Sequence, residues 1–347
     1  MSDPMGSVPG ALARTPRVAV IVPTYRRPQD LRRCLEAIAC QGRRADQVIV
    51  VTRDEDVATH AVIEAAGSAG ASLTRVTVHE SGVVAALNAG LAEADADLIA
   101  FTDDDAAPRP DWLARLEAHF AADAGVGGVG GRDWVFQHGR LEDDSRRVVG
   151  RITWFGRSIG NHHLGIGGCR EVDALKGVNM CFRAKALQGI RFDTRLRGAG
   201  AQVGNELGLS LAVKRRGWRL LYDPQIAVDH FPAARHDEDQ RNVFCVEAIY
   251  NAAFNETLLL CDHFGRWRRR VFLAWALAIG HRAGPGIAQW LRLLADEPRY
   301  ATARLRTTLA ARVAGWRAAR LGVSPLSALP ELLELAELPA IRPRGKG

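Results

Sequence analysis

The sequence predicts an α/β fold in which a mostly parallel sheet has helices on both faces and is followed by a helical extension. Between residues 17 and 131, short apolar runs rich in β-branched residues alternate with segments whose apolar residues recur every three or four positions. Residues 132–235 are more mixed and rich in glycine, and helical periodicity dominates from about residue 237. Strand–helix alternation of this kind is typical of parallel sheets covered on both faces.

The first part of the chain is predicted to contain four strands and three helices. The strands cover residues 17–22, 47–51, 73–78 and 97–102, and the helices start near Pro28, Val83 and Pro110. Proline favours the first turn of a helix, and apolar residues follow each start at helical spacing. Because ligands of such sheets bind beyond the carboxyl ends of the strands, the residues just after each strand are the first candidates for a site.

Three regions follow from these patterns: a leader at 1–16, an α/β domain at 17–236, and a basic helical extension at 237–347. The apolar runs at 17–22 and 271–279 are far shorter than the roughly 20 residues that a membrane span needs. No signal-peptide cleavage pattern follows the first run. We therefore expect a cytoplasmic protein, either free or peripheral on the cytoplasmic face of a membrane.

The net charge of +7 is carried mainly by arginine, since the chain has only four lysines, Lys176, Lys185, Lys214 and Lys346. A basic balance points to phosphate-bearing partners, namely nucleic acid, anionic lipid or a nucleotide. A general preference for arginine over lysine accounts for the same composition. No segment resembles a base-reading motif, which argues against nucleic acid.

The basic extension points to an anionic membrane surface as one candidate partner. Residues 298–330 contain six arginines and no acidic residue, and Trp267, Trp275 and Trp290 precede them. An apolar stripe is predicted at Leu305, Leu309, Val313 and Trp316, although Arg312 falls on it. Such a pattern favours a pair of interfacial helices resting on anionic lipid. Helices that pack on the rest of the chain with a solvated basic face explain it equally well.

Three adjacent aspartates, Asp103, Asp104 and Asp105, directly follow the strand predicted at 97–102. Adjacent carboxylates repel one another unless a cation or water relieves the repulsion. Their oxygens suit a hard divalent ion, Mg²⁺ or Mn²⁺, which in turn can hold a diphosphate. A solvated acidic turn explains the acidity but not the position at a strand end, so the sequence predicts a metal and diphosphate site here.

The ends of the first two strands are also polar. The first strand is followed by Thr24, Tyr25, Arg26 and Arg27, whose ring, hydroxyl and guanidinium groups can stack a base and bind phosphate or ribose. Asp54 follows the second strand and can accept hydrogen bonds from a base or ribose. Since the strand ends converge on one edge of the predicted sheet, these residues are expected to share one site.

Four segments, taken in order, resemble the inverting family 2 glycosyltransferases, which have the GT-A fold. They are VAVIVPTYRRPQDLRRCLEAI, ESGVVAALNAGLAEADADLIAFTDDDAAPRPDWL, VDALKGVNMCFRAKAL and KRRGWRLLYDPQIAVDHF, and the resemblance covers residues 17–232. It implies metal-dependent transfer, with Mg²⁺ or Mn²⁺, of a sugar from a nucleoside-diphosphate-sugar to an acceptor hydroxyl. It also implies a role in cell-surface polysaccharide or glycolipid synthesis, with a saccharide or a lipid-linked acceptor.

The resemblance also implies roles for particular residues. Nucleotide-sugar binding is implied for Pro23, Thr24, Tyr25, Arg27, Asp54, Asn88, Asp103, Asp104 and Gly177. Metal binding is implied for Asp105, Asp103 and His230, with Asp105 as the main direct ligand and therefore a catalytic residue. A hydrogen-bonded histidine at a strand end is the alternative interpretation of His230.

Two positions depart from the family pattern. The general base is usually the Asp of a Glu-Asp pair before an apolar helix, and Asn205 and Glu206 stand there in this chain. Glu206 is therefore the expected base, and a free glutamate, with a pKa near 4.3, is charged at neutral pH. Leu87 stands where many members carry an arginine that contacts the nucleotide. Another arginine, Arg26, Arg27 or Arg53, is needed to offset that loss.

Two other functions fit parts of the sequence. The substitution at Glu206 leaves room for a catalytically inactive protein that binds nucleotide or acts as a scaffold at a membrane surface. The glycine run at 125–130 matches the G-x-G-x-x-G pattern of dinucleotide-binding dehydrogenases, but residues 132–136 after it are predicted to form a strand. The dinucleotide motif requires a helix at that point, so the context argues against it.

Overall fold

The computed structural model describes residues 15–67, 72–137, 139–142, 144–233 and 245–322. The predicted leader at 1–16 lies almost entirely outside these residues, and the predicted boundary near residue 237 lies wholly outside them.

The strands are β1 (Val18–Pro23), β2 (Gln47–Arg53), β3 (Leu73–Val78), β4 (Leu98–Phe101), β5 (Ala106–Pro108), β6 (Val126–Gln137), β7 (Arg140–Leu141), β8 (Arg151–Ile152), β9 (Ser158–Ile159), β10 (Arg170–Val172), β11 (Met180–Arg183) and β12 (Arg219–His230). The helices are α1 (Pro28–Ala39), α2 (Val57–Gly67), α3 (Val83–Glu93), α4 (Trp112–Ala122), α5 (Ala184–Leu187), α6 (Asn205–Arg215), α7 (Val246–His263), α8 (Arg266–Ala278), α9 (Ile287–Asp296) and α10 (Pro298–Leu321).

The central sheet has the strand order β10-β12-β6-β11-β4-β1-β2-β3, with β5 beside β12 and β7 beside β6. Strands β1 to β4 are parallel, and β6 and β12 run in the same direction as they do. Strands β5, β10 and β11 run in the opposite direction. The predicted α/β fold with a mostly parallel sheet is therefore confirmed, and β1 to β4, β6 and β12 all point their carboxyl ends the same way.

All four strands and all three helices predicted in the first part of the chain form. The helix predicted from Pro110 begins two residues later, at Trp112. Before it, the N–H of Arg109 is hydrogen-bonded to the carbonyl oxygen of Ala227 in β12, at 3.1 Å, and the N–H of Trp112 to the carbonyl oxygen of Arg109, at 2.9 Å, so the chain makes a turn between β5 and the helix. Proline therefore marks this helix start to within two residues.

Successive residues of β1 point to opposite faces of the sheet and into different parts of the core. Val20 and Val22 pack with α1 and α4, which contribute Leu31 and Trp112 to the same cluster. Ile21 packs on the other face, where α3, α6, α7 and α10 contribute Leu87, Leu209, Leu258 and Ala311. The predicted C-terminal helical extension is thus present, and α7 and α10 share a core cluster with the sheet.

The glycine run at 125–130 lies at the start of β6 and not at the start of a helix. Glycine continues to 131 because β12 shifts register between Asp223 and Ala227 and passes very close to β6. A Cβ at Gly131 would lie 1.8 Å from the carbonyl oxygen of Ile226. The glycines therefore serve sheet packing, and the structure confirms that they do not form a dinucleotide motif.

The apolar stripe predicted on the last helix is only partly right: Leu305 is buried and Arg312 falls on the buried face as predicted, but Val313 does not lie on that face. Val313 is exposed, whereas Arg312 is only 2% exposed and forms an ion pair with Glu256 at 3.0 Å. The buried face of α10 runs instead through Ala301, Leu305, Thr308, Ala311, Arg312, Gly315 and Ala318. Small residues are needed on it because α7 lies close by: a Cβ at Gly315 would lie 2.6 Å from the carbonyl oxygen of Phe254.

The basic cluster at 266–270 and the apolar run after it form one helix, α8. The cluster provides the first turn, and the buried side of the helix is formed by Phe272 and Ala276. Within the described residues, no helix is both long enough and apolar enough to span a membrane.

Candidate active site

A cavity of about 450 Å³ lies at the carboxyl edge of the sheet. Its walls are formed by residues at or just after the ends of β1, β2, β3, β4 and β12, and by the loop and first turn of α6. This is the edge at which open α/β sheets bind ligands. The residues selected from the sequence that line the cavity are Pro23, Thr24, Tyr25, Arg27, Asp103, Asp104, Asp105, Gly177, Glu206 and His230.

Asp104 is buried, and both of its carboxylate oxygens have partners. The hydroxyl of Thr24 donates to Oδ2 at 2.8 Å, and Nη1 of Arg27 donates to Oδ1 at 2.9 Å. Burial raises the pKa of Asp104 to about 7, although the positive charge of Arg27 acts in the opposite direction. Asp104 therefore ties the end of β4 to the loop after β1 and holds Arg27 at the cavity wall.

Asp103, Asp105 and His230 bring their ligand atoms to one point, within 4.8 Å of one another. Nε2 of His230 lies 3.4 Å from Oδ1 of Asp105. The two buried atoms form an ion pair that lacks hydrogen-bond geometry, and neither has a hydrogen-bond partner within the part of the chain that the structure describes. Buried polar atoms without hydrogen bonds are costly, and a ligand ion would satisfy both. Two carboxylates and an imidazole fit a divalent metal ion.

The charges of this cluster depend on one another. Burial alone would lower the pKa of His230, but Asp105 and Asp133 raise it to about 9. Burial alone would raise the pKa of Asp105, but the His230 imidazolium and the N–H of Ala233, 2.9 Å from Oδ2, lower it to about 2. In the metal-free chain at neutral pH, an imidazolium therefore balances the carboxylates. A metal ion requires neutral imidazole and would take the place of that proton.

Asp133 and Lys176 complete the network, and neither was selected from the sequence. Asp133 is fully buried on β6, its Oδ2 lies 3.3 Å from Nδ1 of His230, and the same oxygen is paired with Nζ of Lys176. Burial would raise the pKa of Asp133, but Lys176 and His230 lower it to about 2. A carboxylate on one ring nitrogen turns the other nitrogen toward the metal position. An acidic residue inside a predicted strand was the available signal, because a buried carboxylate needs partners.

A further part of the cavity wall is formed by the loop before α6 and by Glu206 in the first turn of that helix. Asn255 of α7, which is fully buried, holds both ends of the loop. Its Nδ2 donates to the carbonyl oxygens of Arg197 and Val203, each at 3.0 Å, and its Oδ1 accepts from the N–H of Arg197 at 2.8 Å. The C-terminal helices thus fix the loop that precedes Glu206.

The first turn of α6 is also packed tightly against α7. Gly204 has a φ of +97°, which favours glycine, and a Cβ there would lie 3.1 Å from Leu259. A Cβ at Gly208 would lie 2.8 Å from the same leucine. The position of Glu206 between these glycines is therefore set by contact with α7.

Replacing Asn255 with leucine is expected to slow a reaction at this cavity roughly 10- to 100-fold while leaving ligand affinity unchanged, because a displacement of about 1 Å at a reacting group has effects of that size. The substitution keeps the branched shape of the side chain but removes its three hydrogen bonds to the main chain of the loop. Steady-state kinetics would show a fall in kcat with KM unchanged. Thr257→Val is the matched control, since Thr257 is equally buried on α7 and its hydroxyl bonds to Ala253 at 2.7 Å and to Arg312 at 3.3 Å, not to the loop. An equal loss of rate in both variants would contradict the positioning role.

Two residues selected from the sequence lie outside the cavity wall. The carboxylate of Asp54 is paired with His79, and its contact with a nucleotide stays a prediction. The side-chain amide of Asn88 makes two hydrogen bonds of 2.9 Å to the main chain of Phe192, which fixes the segment before α6. Leu87 does line the cavity, together with Arg53, which lies 3.9 Å over the ring of Tyr25.

This fold, with a carboxylate-rich cavity at the carboxyl ends of parallel strands, is the GT-A fold of nucleotide-sugar transferases. Residues 16–244 match the family described as "Glycosyltransferase like family 2". The chain belongs to this family.

Individual similarities are more distant. The chain is 29% identical over 119 residues to "Glycosyltransferase AglE" of Haloferax volcanii, which covers 33% of this chain and 39% of that protein. The chain thus spans about two-fifths of that relative. A crystal structure of GalNAc-T7 with UDP, GalNAc and Mn²⁺ superposes with a TM-score of 0.61 at 11% identity, over 86% of this chain and 58% of the other. The mannosyltransferase PcManGT from Pyrobaculum calidifontis, in complex with GDP-Man and Mn²⁺, superposes with a TM-score of 0.49 at 19% identity, over 89% of this chain and 88% of the other.

Proposed function

We propose that this chain is an inverting, metal-dependent glycosyltransferase that moves a sugar from a nucleoside-diphosphate-sugar to an acceptor hydroxyl. The proposal depends on one observation: the Asp103–Asp105–His230 cluster and Glu206 line the same cavity. A cluster that fits a divalent ion can hold a diphosphate, and a carboxylate that lines the same cavity can accept a proton. Family membership supports the same activity.

The donor side of the cavity lies along β1 and β4. Pro23, Thr24 and Tyr25 are proposed to hold the nucleoside, with Arg53 over the ring of Tyr25. Arg27 and Arg53 line the cavity beside Leu87 and supply the positive charge that an arginine at position 87 supplies in many family members. Asp103, Asp104 and Gly177 are proposed to face the ribose and the diphosphate.

The acceptor side is Glu206 and the loop before it. Glu206 is proposed to take the proton of the acceptor hydroxyl as that oxygen attacks the anomeric carbon. A single displacement inverts the anomeric centre. A divalent ion held by Asp103, Asp105 and His230, Mn²⁺ or Mg²⁺, would supply charge neutralisation for the departing diphosphate. The imidazole favours Mn²⁺, because Mg²⁺ is bound almost wholly by oxygen.

The acceptor is proposed to be a saccharide or a lipid-linked saccharide used in cell-surface polysaccharide or glycolipid synthesis, at the cytoplasmic face of a membrane. The support for this setting is the basic and apolar surface of the C-terminal helices. An anionic membrane would place a lipid-linked acceptor next to the enzyme.

A thermal-shift panel tests the donor class. UDP, GDP, TDP and CMP are each added to the full chain with and without Mn²⁺. A ligand at 100 times its Kd stabilises the folded state by about 2.7 kcal/mol, which is several degrees for most domains. We expect one nucleoside diphosphate to raise the melting temperature, and Mn²⁺ to enlarge that rise. No shift with any nucleotide at millimolar concentration would contradict the proposal. A shift without turnover of the matching sugar nucleotide would favour the inactive nucleotide-binding alternative.

A further inference from the structure

The segment that forms α8 and α9 has a strong local excess of positive charge. Residues 266–296 contain Arg266, Arg268, Arg269, Arg270, Arg282 and Arg292 and one acidic residue, Asp296, at the end of α9. The whole chain has 46 basic and 39 acidic residues, so the charges elsewhere are nearly balanced. A partner that carries negative charge is therefore attracted to this part of the molecule.

Three of these arginines are exposed and have no acidic partner among the described residues: Arg266, Arg270 and Arg292. The two inner arginines of α8 donate to main-chain oxygens. Arg282 is paired with Glu297 at 3.1 Å. The surface therefore presents three guanidinium groups to solvent, and each can bind a phosphate.

Large apolar side chains are exposed on the same helices and on the turn that joins them. The exposed fractions are 68% for Trp267, 43% for Leu277, 50% for Ile279, 47% for Ile287 and 57% for Leu291. Trp267 and Leu277 lie ten residues apart on α8, about 2.8 turns, which places them roughly 80° apart around the helix axis and on the same side of the helix. Arg270 lies on this face with its guanidinium 4.9 Å from the ring of Trp267.

The two helices meet at their ends. The N–H of Gly286 donates to the carbonyl oxygen of Ile279 at 3.1 Å, and a Cβ at Gly286 would lie 2.6 Å from the carbonyl oxygen of Leu277. The start of α9 therefore touches the end of α8. We call the exposed residues of this helix pair the α8–α9 surface: Trp267, Leu277, Ile279, Ile287 and Leu291 with Arg266, Arg270 and Arg292.

We infer that the α8–α9 surface docks on a bilayer that contains anionic lipid. Its apolar side chains enter the interface between headgroups and acyl chains, and its arginines bind lipid phosphates. Exposed tryptophan and aliphatic side chains beside unpaired basic residues are the combination found on interfacial helices. A second copy of the chain would bring arginines against arginines, which like-charge repulsion disfavours. The sequence pattern predicts this contact on α10 instead, but the buried face of α10 packs on α7.

The inference deepens the proposed function by naming the partner surface, and it is measured without any sugar transfer. The full-length chain is mixed with vesicles of phosphatidylcholine alone or with about 30% phosphatidylglycerol, and bound protein is separated by flotation. Binding is expected only to the anionic vesicles in about 50 mM salt, and is expected to fall strongly in about 0.5 M salt because surface charges are then screened. The combined variant Arg266→Gln/Arg270→Gln/Arg292→Gln is expected to bind roughly 100-fold more weakly.

A matched control removes three exposed arginines elsewhere, as Arg32→Gln/Arg44→Gln/Arg191→Gln, so that the net charge falls by the same amount. This control is expected to bind nearly as well as the unchanged chain, because binding depends on the local surface. Leu277→Ser/Ile287→Ser tests the apolar part and is expected to weaken binding even at low salt. Failure of the unchanged chain to bind anionic vesicles overturns the inference, as does an equal loss in the two arginine variants. A dimer that the serine variant dissociates, with vesicle binding unchanged, also overturns it.

Discussion

Glu206→Gln is expected to lower the turnover of the donor by roughly 10²- to 10⁴-fold while nucleotide binding is retained. This range is what removal of a general base usually costs, since glutamine cannot take the proton of the attacking hydroxyl. The side chain lies in the first turn of α6, where a carboxylate stabilises the helix by only about 0.3–1 kcal/mol, so the fold should tolerate the change. Hydrolysis of the donor, in which water replaces the acceptor, gives a rate that can be measured without a known acceptor.

Two further variants distinguish a base from a general charge effect. Glu206→Asp keeps a carboxylate with one methylene less of reach and is expected to retain part of the rate. Glu80→Gln removes the same charge from another residue that lines the cavity and is expected to have a small effect. If Glu206→Gln and Glu80→Gln lower the rate equally, or if neither changes it, Glu206 is not the base.

The part of the site that could be predicted from the sequence is the part that follows strands directly. Asp103 to Asp105 and Thr24 to Arg27 come within a few residues of buried apolar runs, so their shared edge follows from the parallel sheet. Asp133 and Lys176 could not be placed in this way. The contact of Asp133 with His230 depends on the pairing of β6 with β12, elements that are about 100 residues apart in the chain, and Lys176 joins the site by pairing with Asp133.

The role of the C-terminal helices in positioning the cavity wall could not be predicted from local sequence patterns. Asn255 is one polar residue in an otherwise periodic helix, and only the packing of α7 reveals that it holds the loop from Arg197 to Val203. The apolar stripe predicted on α10 fails at Val313. A prediction from helical periodicity considers only large apolar residues, whereas close packing against α7 requires small residues such as Gly315. Arg312 is buried there because Glu256 lies opposite, which no local pattern can show.

These contacts also change the view of how the chain is organised. A catalytic domain at 17–236 and a separate extension at 237–347 is an adequate description of the sequence pattern. In the structure, however, Asn255 and Leu259 of the extension determine the position of the loop and helix that carry Glu206. A truncation after residue 237 would therefore remove the support of one cavity wall, and experiments on the surface of α8 and α9 require the full chain.

Asp105→Asn is expected to abolish the effect of Mn²⁺ on nucleotide binding and to lower donor turnover by at least about 10³-fold, because the stabilisation of charge on the leaving group contributes strongly to catalysis. Asparagine has the same shape, and its oxygen can still accept the N–H of Ala233, so the chain should remain folded. The test is the thermal shift given by the best nucleoside diphosphate, measured with and without Mn²⁺.

Asp104→Asn is the matched variant, one residue away in the same buried turn. Both oxygens of Asp104 are already occupied, by Thr24 and Arg27, and the pKa of its carboxyl is about 7, so it is poorly placed to bind a cation. The Mn²⁺-dependent part of the shift is therefore expected to survive in Asp104→Asn and to vanish in Asp105→Asn. The reverse result would identify Asp104, and not Asp105, as the metal ligand. His230 would then be a partner of Asp133 alone. Loss in both variants would mean that the three aspartates act as one charged unit, and that the unpaired Oδ1 of Asp105 does not identify the ligand.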